Sequence, residues 1–172
     1  NKKIIISLLV LVAVIVSIII AFYMSTGKDY YVTTKEEQWL IRMREEEKLA
    51  RDVYTILGET WGMQIFLNIA KSEQTHTDAV KMLISRYGVI DPVTDDTVGV
   101  FTSSDIRKLY IDFIAQGKKS FMDALIVGAT IEDLDIQDLD IALSETDSLD
   151  IKTVYTNLQT GSRNHMRAFI KN

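Results

Sequence analysis

The stretch Phe66-Leu67-Asn68-Ile69-Ala70-Lys71-Ser72-Glu73-Gln74-Thr75-His76-Thr77-Asp78-Ala79-Val80 decides how this chain reads. Phe66, Ile69, Glu73, His76, Val80, Leu83 and Tyr87 recur at steps of three and four, the period of one helix face. A helix is therefore expected from about Met63 to Tyr87, with Gly88 as a left-handed cap. Glu73 and His76 interrupt its otherwise apolar face. Residues three apart point to the same side of a helix, so one turn offers an oxygen and a nitrogen to one metal ion.

Working outward, a capping box at Thr34-Lys35-Glu36-Glu37 predicts a preceding helix that runs to about Leu57. Its seam is Leu40, Met43, Glu47, Ala50, Tyr54 and Leu57. Glu47 falls on the seam, whereas Glu45 and Glu46 fall beside it and are expected to meet water. Residues 88–104 read as irregular and hold the only proline, Pro92. A short helix from about Asp105 to Ala115 follows. A second capping box, Ser120-Phe121-Met122-Asp123, starts a helix to about Leu143 with the seam Phe121, Leu125, Gly128, Glu132, Asp135, Leu139 and Ala142. The last helix begins around Asp147 or Leu149, with the seam Ile151, Tyr155, Leu158, Ser162, His165 and Phe169. No strand-like alternation and no internal repeat stand out. The fold class is all-α, a four-helix bundle whose second and third helices are joined by a long crossover carrying a short extra helix.

Glu47, Glu73, His76, Glu132 and His165 thus lie on core-facing seams of four helices, and they include the only two histidines. Burying several unpaired carboxylates costs many kcal/mol unless cations or hydrogen bonds compensate. Two divalent ions would cancel much of that charge. The competing explanation is a metal-free polar network of histidines and glutamates, fed by Ser162, Arg163 and Asn164. Tyr54 and Tyr155 either neighbour the metals or serve as core aromatics. Trp39 and Trp61 are packing or interface residues, Gly128 permits close helix approach, and Asp133, Asp135, Asp138 and Asp140 form a largely solvated face.

Ile4 to Met24 is a 21-residue uncharged run, interrupted only by Ser7 and Ser17. At about 1.5 Å per residue it spans roughly 30 Å, the thickness of a bilayer core. Residues 1–25 are therefore expected to be a transmembrane anchor, 26–33 a linker and 34–172 the bundle. Lys2 and Lys3 favour a cytoplasmic N-terminus, placing a single-pass protein in the cell membrane with its C-terminal domain outside the cytoplasm. The alternative is a cleaved signal and a secreted domain. Without residues 1–25 the chain keeps 17 basic against 24 acidic residues, a net of −7. Such a domain repels phosphate backbones, which argues against nucleic acid as a partner. The absence of cysteine excludes disulfides, thiolate metal sites and cysteine nucleophiles. No phosphate loop, nucleophile elbow or dinucleotide fingerprint is present.

Four segments carry a family resemblance. They are Arg44-Glu45-Glu46-Glu47-Lys48-Leu49-Ala50-Arg51-Asp52-Val53-Tyr54, Ser72-Glu73-Gln74-Thr75-His76, Gly99-Val100-Phe101-Thr102, and Gly161-Ser162-Arg163-Asn164-His165-Met166-Arg167-Ala168-Phe169. Over residues 38–170 the chain resembles the ferritin-like, rubrerythrin-related di-iron carboxylate proteins, and more closely the DUF2202 group. The resemblance implies a ferritin-like bundle with two iron ions, alternatively manganese. Glu47 would be the first-helix ligand, Glu73 the bridging carboxylate and His76 the histidine of the first Glu-x-x-His. Glu132 would be the second glutamate of a Gly-Glu-x-x-Glu pattern, and His165 the histidine of the second Glu-x-x-His. Ala129 and Ser162 stand where the pattern has glutamates. The Ser162 departure removes a bridge, for which Asp135, one turn beyond Glu132, is a partial substitute. Tyr54, Asp135 and Ser162 are thus expected beside the ligands.

The activity implied is dioxygen or peroxide chemistry or iron oxidation, of ferroxidase or peroxidase type. Electrons would come from a separate donor, and a homodimer is compatible with the family. A non-enzymatic metal-binding or stress-sensing surface domain, or a helical interaction module with a metal-free polar core, are the alternatives.

Overall fold

The computed structural model describes residues 31–172, in which Val32–Asn172 forms one compact unit. The expected span at 4–24 lies outside the described residues. Among the described residues, no helix is long and apolar enough to cross a membrane.

Five helices and no strand make up the described chain: α1 (Thr34–Trp61), α2 (Gln64–Tyr87), α3 (Ser104–Gly117), α4 (Phe121–Ser144) and α5 (Leu149–Lys171). The α1 capping box forms one residue earlier than its sequence suggested. The Thr33 hydroxyl accepts from the Glu36 N–H at 3.2 Å, and the Glu36 carboxylate accepts from the Thr33 N–H at 2.8 Å. Glu36 is the earlier glutamate of the pair, and its other oxygen is taken by the Thr146 and Ser148 hydroxyls in front of α5. One acid thus caps one helix and ties it to the entry of another. Ser103 and Ser120 cap α3 and α4. Gly88 ends α2 at φ 66°, as expected.

Cross-helix bonds fix the topology. Arg42 reaches Asp138 and Tyr54 reaches Glu132, so α1 and α4 are antiparallel neighbours. Ser72 reaches His165 and Arg86 reaches Asp150, so α2 and α5 are antiparallel too. Only Gly62 and Met63 separate α1 from α2. Since α1 runs against both α2 and α4, those two run the same way, and the chain must travel the length of the bundle between them. Residues 88–120, including α3, make that return. Trp39 donates to Glu145 at 2.8 Å and Trp61 to the Gly117 carbonyl at 2.9 Å, tying α1 to the far end of α4 and to α3.

The seams close on each other as two apolar clusters. One joins Leu49, Val53, Tyr54, Leu57, Phe66, Ile131 and Phe169 with Ile106 and Phe113 of α3. The other joins Leu40, Met43, Val80, Leu83, Leu139, Ile151, Tyr155 and Leu158. A Cβ on Gly128 would meet the Phe169 ring at 2.8 Å, so this position admits the ring against α4. Along all four seams, the residues between the two clusters are polar.

Two expectations fail on α1. Glu45 and Glu46 are buried. The crossover returns along the face where they were expected to meet water, and Glu45 accepts from the N–H groups of Thr102 and Ser103 at 2.7 and 3.0 Å, at the start of α3. Glu46 pairs with Arg42 at 2.7 Å. On α4, Asp135 is buried, unlike the exposed Asp133 and Asp140 beside it.

Candidate metal centre

The polar layer is built from one or two side chains per seam. Glu47 of α1, Glu73 and His76 of α2, Glu132 and Asp135 of α4 and Ser162 and His165 of α5 all enter it. All are buried except His76, whose side chain is 12 % exposed.

Glu73 lies at the centre. One of its oxygens is 2.8 Å from His76 Nδ1, and the other is 2.7 Å from His165 Nδ1. His76 Nδ1 also lies 3.2 Å from Glu47, and His165 Nδ1 lies 3.5 Å from Glu132. Two groups result, Glu47–Glu73–His76 and Glu73–Glu132–His165, each with one potential ligand atom per residue and all such atoms within 4.8 Å. They share Glu73. The two imidazoles stack with centroids 5.6 Å apart. A Cβ on Gly161 would come within 2.7 Å of the His76 ring, so glycine there leaves the room that ring occupies.

A surrounding set of hydrogen bonds aims these groups. The Tyr54 hydroxyl lies 2.8 Å from Glu132 and 3.2 Å from the Gly128 carbonyl, which assigns one of the sequence's two tyrosine candidates to the cluster. Tyr155 sits in the second apolar cluster, its hydroxyl without a hydrogen-bond partner. His165 Nε2 is hydrogen-bonded to the Ser72 hydroxyl at 3.0 Å, turning Nδ1 toward the acids. Ser162 donates to Asp135 at 2.5 Å, so the short side chain on α5 and the longer one on α4 together fill one place. Arg163 and Asn164 stay outside; Arg163 lies 3.9 Å from Asp140, and Asn164 accepts from Arg167. Sequence reasoning missed Ser72 and Gly161. Neither lies on an apolar stripe, and their only signal is adjacency to Glu73 and Ser162.

The cluster holds more carboxylates than its histidines can offset. Burial pushes the Glu47 carboxyl well up, and the nearby Asp135 carboxylate adds to the effect. Burial likewise raises Glu132 to about 8 and Asp135 to about 7. Burial acts on Glu73 in the same sense, but His165 and His76 outweigh it and hold this carboxyl at about 2. Burial opposes charge on both imidazoles, yet Glu47 and Glu73 raise His76 to about 11, and Glu132 and Glu73 raise His165 to about 9. Glu73, between the two imidazoles, is thus the carboxyl held ionised, while burial favours the protonated forms of Glu47, Glu132 and Asp135.

The cluster leaves buried polar atoms unsatisfied. Glu47 Oε1, Glu73 Oε1, Asp135 Oδ1 and His165 Nδ1 are buried without a hydrogen-bond partner. Glu73 Oε1 and His165 Nδ1 face each other at 2.7 Å as an ion pair. Buried polar atoms are rarely left this way, and a divalent transition-metal ion, which takes carboxylate oxygen and imidazole nitrogen together, would satisfy them. The donor set therefore fits a divalent metal. A cavity of about 130 Å³ reaches the cluster between α1, α3 and α4.

A curated relative named "Uncharacterized protein MJ0754", from Methanocaldococcus jannaschii, is 54% identical over 149 residues, covering 87% of this chain and 80% of its own length. The crystal structure of hypothetical protein MJ0754 from Methanococcus jannaschii DSM 2661 is similar at a TM-score of 0.81 and 56% identity, covering 83% of this chain and 81% of that one. Residues 36–172, nearly all of the described unit, match the family model of the uncharacterized protein domain DUF2202. The chain belongs to the DUF2202 family.

Proposed function

We propose that this bundle is ferritin-like and binds two divalent metal ions, iron or alternatively manganese, on Glu47, Glu73, His76, Glu132 and His165, for dioxygen, peroxide or iron-oxidation chemistry. The observation that carries the proposal is the pair of three-residue groups sharing Glu73, with buried lone pairs left unsatisfied. The long return between α2 and α4 supports the ferritin-like reading. Bound iron would supply Lewis acidity and one-electron redox capacity.

The chain's own residues prepare the site. Glu73 offers one oxygen to each half. With the Nε2 proton directed at Ser72, His165 presents an Nδ1 lone pair, and the Tyr54 hydroxyl fixes the Glu132 carboxylate. Asp135, held by Ser162 and raised to about 7, can hold or release a proton beside the cluster near neutrality. The apolar clusters on either side exclude water. Electrons come from a separate donor, since the chain has no cysteine site of its own. Residues 4–24 anchor the domain outside the cytoplasm, or direct its secretion if cleaved.

The metal-free network remains the second reading, because Glu73 pairs with both histidines at under 3 Å. Elemental analysis of protein purified with ferrous iron separates them: about two metal ions per chain are expected, and none would leave the network. Oxygen consumption on adding ferrous iron then separates an oxidase from a storage or sensing domain.

A further inference from the structure

The cavity beside the acids has a lining that metal ions alone do not explain. Leu49 and Ala50 of α1, Leu109 and Phe113 of α3, and Ile131 and Leu134 of α4 form its apolar wall. Its carboxylates are Glu46, paired with Arg42, and Glu47, Glu73, Glu132 and Asp135, the last four of which place one end of the chamber at the candidate centre. It nears the surface beside Arg42 and Leu134, the lining residues with substantial exposure.

We infer that this chamber is the substrate pocket of the centre and takes a small, neutral, apolar molecule of about the size of a benzene ring. As a substrate pocket it rests on the metal reading; as a binding pocket it stands on the lining alone. An apolar cavity of roughly 150 Å³ in another protein stays dry and binds benzene, so about 130 Å³ sets the size class. Along the apolar wall water would find no polar partner; its partners lie at the two ends, at Arg42 with Glu46 and at the four inner carboxylates. An anion would meet those carboxylates, and the one cation in the lining is engaged: Arg42 lies 2.7 Å from both Glu46 and Asp138. The crossover makes the pocket possible, because α3 supplies Leu109 and Phe113 and closes the gap between α1 and α4.

The test titrates benzene into the full chain, metal-free, and follows methyl resonances of Leu49, Ile131 and Leu134 against those of Leu83 and Leu158 in the other apolar cluster. Saturable shifts confined to the first three are expected. Ala50→Leu and Leu109→Trp fill the chamber from α1 and from α3, and each should weaken binding at least tenfold while leaving metal content unchanged. Shifts that never saturate, that appear equally in both clusters, or that persist in both variants would overturn the inference. Should Ala50→Leu fail to fold, Leu109→Trp carries the same comparison. Benzene binding without metal binding would remove the metal reading and leave the pocket; metal binding without benzene binding would do the reverse.

Discussion

Helix α1 buries charge on two faces, and the two are completed in opposite ways. On the face toward the crossover, Lys48 and Asp52 are fully buried and pair at 2.5 Å. Lys48 also donates to the Thr97 carbonyl and lies 4.5 Å over the Phe101 ring. Asp52 further accepts from Arg51 and from the Gly99 N–H, Arg51 reaches Asp96, and Arg44 reaches Asp91. Anions of this strap meet cations or N–H groups; Arg44 Nη1 lacks a partner, as does Oε2 of Glu46 on the same flank. On the interior face, Glu47 joins three more carboxylates and two histidines, with four cluster atoms unsatisfied. A buried polar network that completes itself is a structural strap. One that needs added cations is a site. The outer strap holds the crossover, and the crossover places α3 over the inner chamber.

The largest effect should fall on the strap. Asp52→Ala strands a fully buried lysine, and breaking such a pair costs about 3–5 kcal/mol. Urea denaturation should show this loss equally with and without metal. A loss that disappears in the presence of metal would mean the two networks are not separate.

The inner cluster should respond to metal instead. Ferrous or manganous ion at about 100 times its dissociation constant should stabilise the wild type by roughly 2.7 kcal/mol. Glu47→Gln should lose that gain, since it removes one of the carboxylates grouped with Glu73 and His76. Thermal melts of both proteins with and without metal check this, and an undiminished gain in Glu47→Gln would remove Glu47 from the ligands. The same contrast runs along pH. His165 and His76 are raised to about 9 and 11, so their stabilising pairing is complete below about 6.5 and is lost as pH climbs through those values. Asp135 and Glu132, raised to about 7 and 8, bind protons more tightly folded than unfolded and add to the same decline from about pH 4 upward. Metal-free stability should therefore fall between about pH 5 and 9, whereas the metal-dependent gain should grow, since ligands must shed protons to bind.

Ser72→Ala removes the hydrogen bond that aims His165, and should weaken metal binding about 10- to 100-fold. A metal titration followed by calorimetry reads it; an unchanged affinity would show that His165 needs no such support. The smallest change is Tyr54→Phe. It deletes one hydrogen bond to Glu132 and should cost about 0.5–1.5 kcal/mol in the metal-free protein by denaturant unfolding.

Much of this was legible in the sequence. The buried residues of α5 are the seam its spacing predicts: Ile151, Tyr155, Leu158, Ser162, His165 and Phe169. Glu47, Glu73, His76, Glu132 and His165 were selected by position on such seams, and the structure brings them together; whether they hold metal is for the experiments above. Asp135 was on its seam too, but only the Ser162 contact assigns it a role. Glu45 and Glu46 were expected to meet water; the partners of Glu45, Thr102 and Ser103, lie 57 and 58 positions away, and Glu46 is paired with Arg42.

The sequence by itself determined which faces turn inward, since helix periodicity is a local property that three- and four-residue steps record completely. It determined the helix ends at Gly88 and Ser120, which act on the backbone beside them, but ended α1 near Leu57, four residues before Trp61. Only the tertiary structure decided which buried charges are complete and which are not. That outcome depends on partners brought by other helices: Ser72 for His165, Tyr54 for Glu132, Thr97 and Gly99 for the strap. Hydrogen bonds and charge compensation act over a few ångströms in space, and separation along the chain carries no record of them.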